Sequence, residues 1–147
     1  GGCPNRSSGS QGAQQIALFA LDLIELVKNF RFSSSTTTNE KDESSSQQQQ
    51  ILVRCGINSG PLVAGVVGSK VPKFSVYGDV VNAASRMEST SEAMRIQCSE
   101  TTYRLLRDAS SWDFDMTPRG GVDVKGKGRM DTWWIKGAKR RAEDAQR

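Results

Sequence analysis

Asn82 and Arg86 stand four residues apart in YGDVVNAASRMEST, residues 77–90, a stretch with helical spacing. Side chains at i and i+4 leave the same helix face. A carboxamide that both donates and accepts hydrogen bonds is therefore one turn from a planar, permanently charged guanidinium. On its own, this spacing describes an ordinary solvated helix face. A second cationic feature is VKGKGRM, residues 124–130, where Lys125, Lys127 and Arg129 surround two glycines. Those glycines allow a backbone to approach an anion closely. GPLVAGVVGSK, residues 60–70, is not a phosphate loop. After Gly60 and Gly65, Val66 and Val67 stand where a lysine followed by Ser or Thr is needed. Its glycines read instead as aids to tight strand packing.

The composition narrows what these groups can do. Among 147 residues there is no histidine, which removes the commonest general base, Ser-His-Asp triads and histidine-based metal sites. Cys3, Cys55 and Cys98 are odd in number and widely spaced, implying neither a disulfide framework nor a zinc ligand set. A reducing, cytoplasmic setting is expected. The net charge of +4 owes much to the tail KGAKRRAEDAQR, where acids are interleaved and aromatics are not, favouring anionic small molecules over nucleic acid. No apolar run approaches the roughly 20 residues of a membrane span, and GGCPNRSSGS lacks a signal-peptide layout.

The elements that must position these groups follow from periodicity. QGAQQIALFALDLIELVKNFR, residues 11–31, places Ile16, Phe19, Leu23, Val27 and Phe30 on one face of an amphipathic helix. The following Ser/Thr/Gln-rich segment, 33–50, has nothing to bury and reads as a disordered insert. ILVRCGI, 51–57, alternates like a strand and ends in turn residues; LVAGVVG and KFSVYG are two more strand candidates. Asp79 is placed to cap a helix over 80–90. RIQC then reads as a strand, Ser99 through Leu106 as a helix, WDFDM and GGVDVK as a pair of strands, and MDTWWIK as the last strand. Of Trp133 and Trp134, alternation sends one to the core and the other to solvent or a partner domain. Short links between mixed elements argue α+β rather than a doubly wound parallel sheet.

Taken in order, GINSGPLVAGVVGSKVPKFSVYGDVVNAASRMEST, RIQCSETTYRLL and RGGVDVKGKGRMDTWWI closely resemble the C-terminal half of the class III nucleotide cyclase catalytic domain, the adenylate and guanylate cyclase family. The match is strong over 51–136 and looser over 1–32, which resembles the segment preceding those blocks; 33–50 is then an insertion and 137–147 a basic tail. The resemblance implies an α+β, ferredoxin-like-derived cyclase sandwich, partial because the N-terminal strands are absent. It also implies roles. Asn82 would orient the ribose, and Arg86 would stabilise charge on the α-phosphate as the 3'-hydroxyl attacks. Lys125, with Lys127 as second choice, would bind the triphosphate tail. Such chemistry needs positioning and charge neutralisation rather than a covalent intermediate.

Ser75 and Lys73 match purine-reading positions of the family, and a hydroxyl suits guanine O6 or adenine N6 equally. The block pattern resembles the guanylate branch, so GTP is the favoured substrate, with ATP the alternative. In the family, two aspartates of the N-terminal half hold Mg2+ or Mn2+; those strands are missing here, so the metal ligands would come from the absent half or a partner domain. The active site would form in a head-to-tail dimer with a second cyclase domain, and this chain alone would be inactive. The competing expectation is a cyclase-like regulatory or dimerisation module without metal ligands.

Overall fold

The structure, a computed structural model, describes residues 9–33, 48–124 and 128–141. It is an α+β arrangement built on a four-stranded sheet. The strands are β3 (Cys55–Ile57), β6 (Ile96–Ser99), β7 (Trp112–Val124) and β8 (Gly128–Arg140), in the order β3-β6-β8-β7. β3 runs parallel to β6, and the other pairs are antiparallel. Two smaller pairs stand apart from this sheet: β1 (Arg31–Ser33) with β2 (Gln48–Gln50), and β4 (Val63–Val67) with β5 (Lys73–Tyr77). The helices are α1 (Gly9–Asn29), α2 (Asp79–Ser89) and α3 (Glu100–Arg107).

Strand alternation assigns the two faces of the sheet. Ile57, Ile96, Cys98 and Ile135 join the main core with Ala13, Ala17, Ala20 and Ile24 of α1 and Leu106 of α3. The intervening residues Gly56, Gln97 and Trp134 are register partners across β3, β6 and β8. They form a row on the opposite face, beneath α2. There Met87 packs with Val122, Val124 and Met130 in a second, smaller core.

Several elements differ from the sequence expectations. α1 buries its alanine stripe, and Phe19 and Phe30 of the expected apolar face are 63% and 49% exposed. Gln11, Gln15, Asp22 and Glu25 lie on the far side of the helix, and the part of the apolar side that offers the closest backbone approach, the one lined by alanine, meets the sheet. The strand expected over 51–57 is confined to Cys55–Ile57. WDFDM and GGVDV belong to one 13-residue strand with register shifts at Asp115/Met116 and Pro118/Gly120; Lys125 of the expected strand lies outside the described residues. At the ends of the expected insert, Ser33 pairs with Gln48, and Gln49 and Gln50 pair with Phe32 and Arg31 across the β1–β2 ladder. Residues 34–47 lie outside the described residues, as does Cys3. β8 continues through Gly137–Arg140, residues read as the start of the tail. Both tryptophans find partners within the chain: Trp133 stacks on Tyr103 at 4.5 Å, and Trp134 is buried beneath the guanidiniums of Arg95 and Arg119.

Candidate active site

α2 begins where Gly78, at φ 134°, turns the chain out of β5. That conformation strongly favours glycine. Gly78 rather than Asp79 is the N-cap, and no side chain caps the helix; Asp79 occupies the first turn, where a carboxylate complements the positive helix end. The helix buries Ala83 and Met87 and turns Asn82, Ser85, Arg86 and Ser89 outward. Those four side chains line an open depression of about 280 Å³ that Val124 closes at the end of β7.

Asn82 and Arg86 are thus brought together on one wall. Among the described residues neither the Asn82 carboxamide nor the Arg86 guanidinium has a side-chain hydrogen-bond or ion-pair partner, so both are available to a ligand. A polar, cationic and open depression of this kind suits an anion that also carries hydroxyl groups. Lys125 and Lys127 lie outside the described residues; Val124, the chain neighbour of Lys125, lines the depression. Ser75 and Lys73 stand on β5, and Ser75 pairs with Gly65 of β4. Neither is among the residues lining the depression.

Cys55 and Cys98 contribute no nucleophile. Burial pushes the Cys98 thiol up to about 12, and desolvation, with a smaller contribution from Glu88, raises that of Cys55. Both are therefore neutral thiols near neutral pH. Among the described residues no group of three or more His, Cys, Asp or Glu side chains could hold a metal ion. The described residues do not form the carboxylate site that a divalent cation requires.

α2 owes its placement to groups not singled out as functional from the sequence. Gly56 of β3 lies so close beneath the helix that a Cβ there would fall 2.6 Å from the Glu88 Cα and from the Met87 carbonyl carbon. Asn58 Nδ2 donates to the Val80 carbonyl at 3.0 Å. Ser99 Oγ donates to Asn58 Oδ1 at 2.6 Å. Arg54 adds a 3.0 Å ion pair to Glu88 at the exposed edge. A glycine inside the alternating ILVRCGI was the one available signal, since it marks a close backbone approach. Of the glycines in 60–70 expected to aid tight packing, Gly60 would place a Cβ 3.3 Å from Val80 Cγ2 and Gly68 one 2.8 Å from the Val71 carbonyl oxygen, whereas Gly65 has nothing within 4 Å.

The sequence profile of the adenylate and guanylate cyclase catalytic domain matches residues 1–137. The chain belongs to this family. Guanylate cyclase 32E of Drosophila melanogaster is 42% identical over 128 residues, covering 87% of this chain and 10% of the fly protein. Atrial natriuretic peptide receptor 2 of Anguilla japonica is 40% identical over 132 residues, covering 90% of this chain and 11% of the eel protein. The cyclase chain thus spans about a tenth of the length of these relatives. Among solved structures, the guanylate cyclase domain of RhGC from Catenaria anguillulae, in complex with GTP, superposes with a TM-score of 0.75 at 37% identity. That match covers 94% of this chain and 65% of the fungal domain. The fold is therefore that of a nucleotide cyclase catalytic domain, present in part. Among the described residues no helix is long and apolar enough to cross a membrane.

Proposed function

We propose that this chain supplies the Asn82–Arg86 wall of a purine nucleotide cyclase that converts GTP to cyclic GMP and pyrophosphate in signal transduction. The observation that carries the reading is the unpaired Asn82 and Arg86 on one face of α2, in a depression closed by the residue before Lys125. Asn82 orients the ribose. Arg86 neutralises charge building on the α-phosphate as the 3'-oxygen forms a bond to phosphorus, its proton leaves, and the bond to the bridging oxygen of pyrophosphate breaks. Lys125, with Lys127 as second choice, holds the β- and γ-phosphates that depart as pyrophosphate, and Ser75 and Lys73 face the purine. Identity to guanylate cyclases supports GTP over ATP. Mg2+ or Mn2+ would be held by residues outside this chain.

A second cyclase domain completes the site. Among the described residues the β4–β5 hairpin pairs with no other strand, and Val63, Val66, Phe74 and Tyr77 on it are at least half exposed. An isolated two-stranded hairpin is marginal in water, so these apolar side chains favour burial against a head-to-tail partner. The domain works in the cytoplasm, and similarity to a receptor supports a membrane-attached parent.

Arg86→Ala in a complete cyclase domain carrying this sequence tests the reading. Turnover is expected to fall at least about a hundredfold, with nucleotide binding by equilibrium dialysis changed far less. Retained turnover would reject the assignment. The lack of a metal-holding cluster among the described residues favours a second reading, a regulatory dimerisation module. It is supported if the complete domain binds nucleotide and dimerises yet makes no cyclic nucleotide with either metal.

A further inference from the structure

α2 carries the two proposed catalytic side chains, yet apolar packing says little about where along its own axis it must sit. Its buried residues are Ala83 and Met87, one small and one flexible, and burial of either is non-directional. Hydrogen bonds are directional, and they engage the helix at both ends.

At the N-terminal end Asn58, just after β3, links sheet to helix. Its Oδ1 accepts from Ser99 Oγ of β6, and its Nδ2 donates to the Val80 carbonyl. At the C-terminal end Gln97 of β6, 0% exposed, donates from Nε2 to Thr90 Oγ1 at 3.1 Å. Thr90 Oγ1 in turn donates to the Arg86 carbonyl at 2.7 Å. The Thr90 carbonyl accepts from Arg119 Nη2 of β7, also at 2.7 Å. Gln97 and Ser99 are two residues apart on one strand and so face α2 together. Val80 and Thr90 are ten residues apart, about 15 Å along a helix, and they bracket Asn82 and Arg86.

We propose that Asn58 and Gln97 are positioning residues for the cyclase reaction, holding α2 at both ends so that Asn82 and Arg86 meet the nucleotide in register. The inference rests on the roles given to Asn82 and Arg86 above. Neither Asn58 nor Gln97 lines the depression, so each acts through the helix. A displacement of about 1 Å at a reacting centre costs on the order of a hundredfold in rate, whereas a flexible triphosphate tolerates it in binding. Loss of either link should therefore appear in kcat rather than KM.

The test uses a complete cyclase domain carrying this sequence, with Asn58→Ala, Gln97→Met and the pair Thr90→Val and Thr90→Ser. Leu106→Val, in the core on the other face of the sheet, serves as the stability control. Expected are a kcat lowered at least about tenfold in Asn58→Ala, Gln97→Met and Thr90→Val, KM for GTP within about twofold, and recovery in Thr90→Ser. Leu106→Val should keep its kcat within about twofold despite a lower melting temperature. If Asn58→Ala does not fold, Gln97→Met and the Thr90 pair decide the matter. The proposal is overturned if kcat stays parental, falls no further than in the control, or falls equally in Thr90→Val and Thr90→Ser. Arg86→Ala in the same series separates the two ideas: an active Arg86→Ala enzyme sinks the function itself, whereas an inactive one beside parental Gln97→Met sinks only the positioning role.

Discussion

Gly56 and Glu88 meet backbone to backbone: a methyl group at Gly56 would stand 2.6 Å from the Glu88 Cα. Side-chain adjustment cannot relieve such an overlap, so Gly56→Ala must push α2 off the sheet. Overpacking of this kind costs about 1–3 kcal/mol, measurable by urea denaturation. The same shift carries Arg86 away, and cyclase turnover of the complete domain should fall at least about tenfold. Parental turnover in a folded Gly56→Ala protein would show that the helix does not need this close seat.

Ser99 serves two elements at once. Its hydroxyl donates to Asn58 Oδ1 at 2.6 Å, and it caps α3 by accepting from the Thr102 N–H at 3.4 Å. Ser99→Ala removes both bonds in a buried setting, and a loss of about 1–2 kcal/mol is expected in the unfolding free energy. Ser99→Thr, which keeps the hydroxyl, should recover part of it.

The thiol of Cys98 makes stability depend on alkaline pH. Its folded pKa of about 12 lies above the ordinary 9.0. Between those values the unfolded chain releases a proton that the folded chain keeps. The contribution is whole below about pH 9 and is lost as pH rises towards about 12. Melting temperatures followed across that window should fall more steeply for the parent than for Cys98→Ala, which has no thiol to ionise. Identical slopes would mean that Cys98 is reached by solvent in the native state.

Phe74 is paired across the hairpin with Val66, and both are more than half exposed. If this face meets a second domain, Phe74→Asp should shift a complete domain from dimer to monomer in sedimentation velocity. It should also change monomer stability by no more than about 0.5 kcal/mol. A dimer unchanged by Phe74→Asp, and by Val66→Asp, would place the contact elsewhere.

Periodicity alone determined that a helix covers about residues 80–90, observed as Asp79–Ser89, that Asn82 and Arg86 share one face of it, and that the chain mixes helices with hairpin-linked strands. These are short-range properties: an i, i+4 spacing or a period of two is set by backbone geometry whatever surrounds it. Tertiary contact decided which part of the apolar side of α1 is buried, because the alanine stripe beside the larger side chains permits the closer approach to the sheet. It also decided that Gly78, not Asp79, caps α2, and that WDFDM and GGVDV are one bulged strand. The seat of α2 belongs to the same class. Gly56, Asn58, Gln97 and Ser99 come from β3, the turn after it and β6, far apart along the chain from much of what they touch. Their shared purpose exists only once parallel pairing sets Gly56 beside Gln97 and the sheet presents both to one helix.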